Sequence, residues 1–172
     1  MAHALVAEEP AAVRYELTQL VSFTVEGEQF GVDVLKVSEI IRLPSITHVP
    51  TAPPYVEGII NLRGSLIPVI SMRERFGFQL AESDSRTRII VMTVGNSLMG
   101  FKVDTVSEVM RVSGSDIQYP PTMLSGSDSH QCLIGVINLA AQMLIIIDPE
   151  KMFSEAEVEQ VFLKQQITGV DE

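Results

Sequence analysis

An internal repeat constrains the fold of this chain more than any other feature of its sequence. Residues that lie 69 or 77 positions apart match in identity or in type. Because the offset grows from 69 to 77, the second copy is eight residues longer, and we predict a loop at residues 123–131, which are rich in Ser and Gly. The matched blocks are Val37-Ser38-Glu39 with Val106-Ser107-Glu108, and Gly58-Ile59-Ile60-Asn61-Leu62 with Gly135-Val136-Ile137-Asn138-Leu139.

Each copy has the pattern of a small β unit. Apolar and polar residues alternate over residues 21–25, which is typical of a strand with one buried face, and residues 26–28 make a turn into a second strand. Similar runs give roughly five short strands in each copy, and strands of this number and length usually close into barrels. We therefore predict an all-β chain with lobe one at about residues 19–76 and lobe two at about residues 88–153.

The remaining parts of the chain depart from this pattern. Residues 72–76 and residues 34–39 could each form a helical turn, and the proline-rich residues 49–55 are predicted to be extended without forming a central strand. Ser154 and Glu157 have the spacing of a capping box, which predicts a helix over residues 155–166. We expect residues 1–18 to be a flexible tail, residues 77–87 to separate the lobes, and residues 154–172 to be a C-terminal helix with an acidic tail.

Residues 89–94 are apolar at consecutive positions, Ile-Ile-Val-Met, followed by Thr and Val. A barrel strand that faced water on one side would alternate between apolar and polar residues. The continuous apolar run therefore predicts that the outer face of this strand is covered too, either by the other lobe or by a loop.

The hairpin at residues 58–70 carries the clearest difference between the two copies. Its two apolar runs are joined by Arg63-Gly64, and a glycine at this place tolerates the positive φ that a two-residue hairpin loop requires. The second copy has Ala140-Ala141 instead, so Arg63 can pair with Glu39 but Glu108 has no equivalent cation. Two interpretations remain open: drift at an exposed turn, or an arginine that Glu39 orients toward a partner.

Charge and composition favour a protein as that partner. The net charge of −10 argues against nucleic acid and against anionic membranes, which bind through Lys and Arg. No apolar run reaches the ~20 residues of a membrane span, and the N-terminus lacks the pattern of a signal peptide, so we expect a cytoplasmic protein. The single cysteine, Cys132, excludes an intramolecular disulfide and is interpreted as a small core residue.

The sequence contains no recognisable catalytic arrangement. His3, His48 and His130 have no neighbours at metal-ligand spacing, so we expect no metal site. A phosphate-binding glycine loop and a Gly-x-Ser-x-Gly elbow are both missing from the sequence. We therefore predict a binding module rather than an enzyme, with no cofactor.

Several motifs together resemble the CheW family of bacterial chemotaxis coupling proteins. The resemblance covers about residues 20–153. It rests on residues 30–40 (Phe-Gly-Val-Asp-Val-Leu-Lys-Val-Ser-Glu-Ile), Val49-Pro50, Pro53-x-Tyr55-x-x-Gly58, Asn61-Leu62-Arg63-Gly64 and Pro68-Val69-Ile70. The chain departs from the family at Ser71-Met72-Arg73, where Asp-Leu-Arg is common, although Ser can also cap a helix.

The resemblance implies two five-stranded SH3-like β-barrels in tandem, with a hydrophobic groove between them. It implies a scaffold without activity of its own that joins the cytoplasmic tip of a chemoreceptor to the regulatory domain of the histidine kinase CheA, in arrays at membrane receptors. It also implies a structural ion pair between Glu39 and Arg63. The expected receptor-binding residues are Val37, Glu39, Gly58, Asn61, Leu62, Arg63, Gly64, Ile90 and Val106.

Two other functions are compatible with the sequence. One is an adaptor fused to a phosphoryl-accepting receiver domain, for which no room is left after Glu172 unless the chain is a fragment. The other is a structural protein that forms rings or coats by barrel-to-barrel association.

Overall fold

The computed structural model describes residues 17–119 and 132–170, and most of these residues lie in β-strands. The first half of the chain contains β1 (Leu17–Val25), β2 (Glu28–Asp33), β3 (Val37–Arg42), β4 (Val56–Leu62) and β5 (Ser65–Ser71). The second half contains β6 (Arg88–Val94), β7 (Ser97–Val103), β8 (Thr105–Ser113), β9 (Ile117–Gln118), β10 (Leu133–Asn138) and β11 (Met143–Ile147). The predicted all-β class is confirmed.

The helical turns predicted near residues 34–39 and 72–76 are present, although the first ends at Lys36 because Val37 begins β3. A 3₁₀ turn at Val34–Lys36 precedes β3, and α1 (Met72–Arg75) follows β5. The side chain of Ser71 caps α1 by accepting a hydrogen bond from the Glu74 N–H, at 3.2 Å. A further 3₁₀ turn, Pro149–Lys151, follows β11, and the C-terminal helix α2 spans Glu155–Val170, four residues longer than predicted.

The strands form two sheets that exchange hairpins between the two halves of the chain. Sheet I has the order β8-β1-β2-β11-β10-β9, and sheet II has the order β3-β6-β7-β5-β4. The predicted lobes, residues 19–76 and 88–153, are thereby corrected, because the β1–β2 hairpin joins strands of the second copy and the β6–β7 hairpin joins strands of the first. Each sheet curls into an SH3-like barrel, and sheet I has the two-residue β9 as a sixth strand.

The repeat is preserved in the strand pairing, residue by residue. Val37 faces Met92 in sheet II, and the matching Val106 faces Phe23 in sheet I. The parallel pair Val69 and Gly100 has its counterpart in Ile146 and Gly31. Register shifts also occur at equivalent positions of the two sheets, so the two barrels are related by a pseudo-two-fold exchange.

The buried residues form one cluster between the sheets and a smaller cluster inside each sheet. The cluster between the sheets, which we call the junction core, joins Phe23 and Phe30 of sheet I to Met92 and Phe101 of sheet II. Leu20, Val112 and Leu144 are among the residues inside sheet I, and Ile60, Val69 and Ile89 are among those inside sheet II. Burial of these apolar side chains is the main favourable contribution to folding.

Strand β6 confirms the inference drawn from its continuous apolar sequence. Ile89 and Val91 point into the interior of sheet II, whereas Ile90, Met92 and Val94 belong to the junction core. The outer face of β6 therefore lies against the junction core, which includes residues of sheet I, and β6 also contacts the 3₁₀ turn Pro149–Lys151.

Two groups of ion pairs, which we call the clamps, connect the sheets at equivalent places in the repeat. The central residue is a cation, Arg73, in one clamp and an anion, Glu150, in the other. Arg73, just after β5, donates hydrogen bonds to both Asp104 carboxylate oxygens at 2.9 and 2.6 Å and pairs with Glu26 in the β1–β2 turn. Its counterpart in the repeat is Glu150, just after β11, which pairs with Lys36. The hydrogen bond from Lys36 lowers the pKa of the Glu150 carboxyl from its ordinary value.

The C-terminal helix packs against the junction core. Val161 is buried, and Val158 and Phe162 are partly buried against that core. The capping box is confirmed, since the Ser154 N–H donates to Glu157 at 2.9 Å and the Glu157 N–H donates to Ser154 Oγ at 3.1 Å. Arg75 donates a hydrogen bond to the Glu157 carboxylate at 3.1 Å, so the helix is fixed by both apolar and charged contacts.

Some segments for which the sequence made predictions lie outside the described residues. The predicted tail at residues 1–18 lies outside the described residues up to position 16, and β1 begins at Leu17, earlier than expected. The predicted loop at residues 123–131 and the end of the acidic tail also lie outside the described residues. None of the helices within the described residues is long and apolar enough to cross a membrane.

Candidate protein-binding site

The tip of the β4–β5 hairpin is a tight turn that projects Arg63. Leu62 pairs with Ser65, so Arg63 and Gly64 are the only residues of the loop, with φ values of 52° and 90°. Two positive φ values are the geometry of the hairpin turn whose twist matches the flanking strands, and glycine adopts them without steric cost. Arginine does not, so holding Arg63 in this conformation costs about 1 kcal/mol and needs compensation.

Asn61 provides part of that compensation. Its Oδ1 accepts a hydrogen bond from the Gly64 N–H at 2.8 Å, which closes the turn from the side chain. The sequence indicated Asn61 as a contact residue, whereas the structure places its side-chain oxygen against the loop backbone. Asn61 therefore positions Arg63.

Arg63 forms an ion pair with Glu39 across the seam of sheet II. Glu39 lies on β3 and Arg63 follows β4, and these two strands are the opposite edges of the sheet. The gap between these two edges, which we call the seam, is also closed by two backbone hydrogen bonds between Thr47 and Ile59, at 2.9 and 2.8 Å. The predicted pair of Glu39 and Arg63 is thus present and joins the two edges of the barrel.

The ion pair is too exposed to be a major source of stability. The side chain of Arg63 is 72% exposed and that of Glu39 is 25% exposed. A pair of this kind contributes about 0–1 kcal/mol, because water screens the charges and the long side chains lose freedom. The guanidinium nevertheless stays in a defined place, with most of its surface available to a partner.

Three apolar residues lie on the strands next to the charged tip. Leu62 is partly buried against the interior of sheet II, and Ile40 and Leu66 are exposed on the neighbouring strands. The sequence analysis did not single out Ile40 or Leu66. The position of Ile40 next to Glu39 on an edge strand is the signal that could have identified it.

Val37 and Val106, predicted as groove residues, both border the junction core. Each is partly buried against that core, and each lies at the start of an edge strand, β3 or β8. They occupy equivalent places in the repeat, as their partners Met92 and Phe23 show. The structure therefore brings Val37 and Glu39 to the same edge strand, two residues apart.

Two other predicted residues have structural roles. Ile90 is 0% exposed and lies within the junction core, so the expectation that it lines the groove is corrected. A Cβ on Gly58 would lie 2.1 Å from the Thr47 carbonyl oxygen, so Gly58 allows the close approach that closes the seam. Neither residue can itself offer a side chain to a partner.

We expect Asn61→Ala to lower the melting temperature by about 2–4 °C, which corresponds to about 1 kcal/mol for one lost hydrogen bond in a chain of this length. The cause is loss of the acceptor for the Gly64 N–H. Asn61→Asp keeps an acceptor and should stay close to the wild-type value in the same thermal scan. Asn138→Ala, at the equivalent place in the second copy, is the matched control. An equal fall in melting temperature for the two variants would show that Asn61 does not stabilise the Arg63-Gly64 turn specifically.

Metal-ligating and nucleophilic side chains were the other candidate features in the described residues. Within residues 17–119 and 132–170, no group of three or more His, Cys, Asp or Glu side chains could hold a metal ion. Cys132 is buried, as predicted, and burial raises the pKa of its thiol. A raised pKa keeps the thiol protonated, which is the unreactive form.

Comparisons with known proteins agree with this fold and identify its family. A family model described as the CheW-like domain matches residues 19–157. The chain is 34% identical over 156 residues to the chemotaxis protein CheW of Treponema pallidum, covering 88% of this chain and 91% of the relative. It is also 34% identical over 136 residues to the chemotaxis protein CheW of Klebsiella aerogenes, covering 79% of this chain and 81% of the relative.

A solved structure has the same fold. The crystal structure of the scaffolding protein TtCheW from Thermoanaerobacter tengcongensis matches with a TM-score of 0.73 and 32% sequence identity, over 81% of this chain and 94% of that one. Residues 19–157, which the family model matches, include all the strands from β2 to β11. The chain therefore belongs to the CheW-like family of chemotaxis proteins.

Proposed function

We propose that this protein is a non-catalytic adaptor that couples the cytoplasmic tip of methyl-accepting chemoreceptors to the regulatory domain of the histidine kinase CheA. It would act in the cytoplasm, at receptor arrays, and adjust the activity of the kinase. Membership of a family whose members are named chemotaxis and scaffolding proteins supports this proposal. The main structural support for a receptor site is the exposed guanidinium of Arg63, which Asn61 and Glu39 hold in place.

The receptor site is proposed along β3 and the β4–β5 tip. Its proposed contact residues are Val37, Leu62 and Arg63, with Glu39, Asn61, Gly58 and Gly64 holding the surface in shape and Val106 bordering the junction core opposite. A receptor tip is a helical hairpin, and helices dock on apolar surfaces with charged rims. Here Val37 and Leu62 supply apolar surface and Arg63 supplies the charge.

We expect Arg63→Ala to weaken binding of a receptor-tip fragment by at least about 10-fold, or 1.4 kcal/mol, because arginine is enriched among the interface residues whose truncation weakens binding most. The melting temperature should fall by no more than about 2–4 °C, because the ion pair contributes at most about 1 kcal/mol. Alanine, like arginine, carries a Cβ, so the backbone cost of the positive φ is nearly unchanged. Calorimetric titration and a thermal scan measure the two quantities.

Arg86→Ala is the matched control, because Arg86 is 74% exposed and also forms an ion pair, with Asp84, at 3.4 Å. This variant should bind the receptor fragment like wild type. If Arg63→Ala binds normally and unfolds early, the residue is structural and the receptor site lies elsewhere.

Assembly into rings is a second property to test, since the family resemblance allows it. Sedimentation of the protein alone, and with a regulatory fragment of the kinase, separates an adaptor from a self-associating coat protein. An adaptor should sediment as a small species alone and shift when the fragment is added.

A further inference from the structure

Tyr55 and Cys132 occupy equivalent positions in the two copies of the repeat, at the offset of 77. The Ser71 N–H donates to the Tyr55 carbonyl at 2.7 Å, and the Asp148 N–H donates to the Cys132 carbonyl at 2.8 Å. Each residue directly precedes a strand, β4 or β10, whose pairing register shifts after its first residue. The backbones therefore match, whereas one side chain is a phenol ring and the other is a small thiol.

In the first copy, this place in the fold holds an aromatic ring. Tyr55 is partly buried against the junction core, and its ring centroid lies 5.5 Å from that of Phe153. The Cζ atom of Arg75 lies 5.0 Å from the centroid of the Tyr55 ring and 4.7 Å from that of Phe153. Ring pairs and cation–π contacts at these distances are attractive, so the surroundings of this place favour an aromatic group.

In the second copy, a cavity lies beside the smaller Cys132. Phe76, the counterpart of Phe153, stacks on Phe30 with ring centroids 4.9 Å apart. The cavity, which we call the Cys132 pocket, has a volume of about 330 Å³. Its lining consists of these two rings, Cys132, Arg75, Leu133, Ile145 and Ile147. An apolar cavity of about 150 Å³ can hold benzene, and small-molecule sites begin at about 300 Å³, so the Cys132 pocket has room for one or two rings.

The lining of the Cys132 pocket matches a neutral molecule better than a charged one. Burial raises the pKa of the Cys132 thiol, which keeps it uncharged at neutral pH. Arg75, the one charged residue of the lining, donates to the Glu157 carboxylate at 3.1 and 3.3 Å and also to the Met152 carbonyl. A charged ligand would therefore lose its hydration without gaining a free partner, whereas a ring face can still contact the guanidinium.

We propose that the Cys132 pocket binds a neutral aromatic molecule of one or two rings, at the place that the Tyr55 ring takes in the first copy. The bound ring lies against Phe76. It contacts both sheets, because Arg75 belongs to α1 after β5 and Ile145 lies on β11. The ligand thereby stabilises the junction between the sheets. No residue of the proposed receptor site lines this pocket, so the inference goes beyond the proposed function.

The test uses the full chain and phenol, which has the ring and hydroxyl of a tyrosine side chain. We expect phenol to bind with a Kd of about 1 mM or below in an NMR titration. The methyl signals that shift should be those of Leu133, Ile145 and Ile147, which line the pocket. Cyclohexanol has a similar size but no aromatic face, so it should bind at least about 3-fold more weakly.

Three substitutions of Cys132 show whether phenol occupies this pocket. Cys132→Tyr supplies the ring from the chain itself and should abolish phenol binding and raise the melting temperature. Cys132→Leu fills part of the space and should weaken phenol binding by at least about 10-fold. Cys132→Ala, the matched control, removes the thiol without filling the pocket and should bind phenol within about 3-fold of wild type. Urea titrations measure the stability of each variant.

Four results would overturn the inference. No binding of phenol by the wild-type protein at about 10 mM would show that no such site exists. Unchanged phenol binding by Cys132→Tyr and Cys132→Leu would place the ligand elsewhere, and equal binding of cyclohexanol would remove the preference for a ring. A loss of stability in both of these variants would show that another part of the chain already fills the pocket. Receptor binding by Arg63→Ala is independent of all four results, so the proposed function is tested separately.

Discussion

Val37→Asp should abolish detectable binding of the receptor-tip fragment, with a loss of at least about 100-fold, or 2.7 kcal/mol. Val37 is partly buried against the junction core at the start of β3, two residues from Glu39. A receptor helix docked here would enclose the new carboxylate. The adjacent cation, Lys36, is already paired with Glu150, and an unpaired buried charge costs several kcal/mol. Glu39, the nearest charged residue along the strand, would add repulsion. A pull-down and a calorimetric titration measure the loss.

Two variants separate binding from folding. Val37→Thr keeps the shape of the side chain and should reduce binding only modestly, with a normal melting temperature. Val109→Asp places the same charge on an exposed position of the equivalent edge strand and should leave receptor binding unchanged. Normal recruitment of the receptor by a folded Val37→Asp protein would remove Val37 from the site.

Gly58→Ala should destabilise the fold by about 3 kcal/mol or more, among the largest effects that a single methyl group can have. The added Cβ would lie 2.1 Å from the Thr47 carbonyl oxygen and 2.7 Å from its carbon, and backbone atoms cannot move aside as a side-chain end can. The two hydrogen bonds between Thr47 and Ile59 would break, and the seam of sheet II would open. The free energy of unfolding from urea titration measures this effect.

Gly64→Ala and Gly135→Ala are the matched comparisons. Gly64 has a positive φ of 90° but no atom within 4 Å of the added Cβ, so its replacement measures backbone strain alone, about 1 kcal/mol. At Gly135 the nearest atom is a methyl of Ile117 at 2.6 Å, which can shift, and the Gln118 carbonyl oxygen is at 3.0 Å. The expected order of destabilisation is therefore Gly58, then Gly135, then Gly64. An equal loss at Gly58 and Gly64 would show that the contact with Thr47 is unimportant.

The sequence predicted local features because short-range chemistry decides them. The Arg63-Gly64 loop, the Ser154–Glu157 capping box and the Ser71 cap each depend on residues within a few positions of one another. The internal repeat also allowed predictions about residues that are far apart in the sequence. Matching Val37 with Val106 and Gly58 with Gly135 predicted equivalent strand positions, and the pairing register confirms them.

The sequence predicted the ion pair at the hairpin tip but not the structural roles of the residues around it. The pair of Glu39 and Arg63 followed from their charges and from the missing cation in the second copy. Ile90 was placed in a groove because an apolar strand can line one, whereas burial on both faces of β6 puts it in the junction core. Asn61 turned out to hold the loop, a role that depends on where its Oδ1 lies relative to the Gly64 N–H.

The sequence by itself determined two related β units, a charged hairpin tip in one of them, and membership of a family recognised by its motifs. Only the tertiary structure decided which strands share a sheet. Two tandem barrels and two barrels that exchange hairpins have the same strands, turns and apolar periodicity, so local pattern cannot separate them. The choice depends on long-range contacts, in which β6 covers the junction core and the clamps at Arg73 and Glu150 tie each sheet to the other.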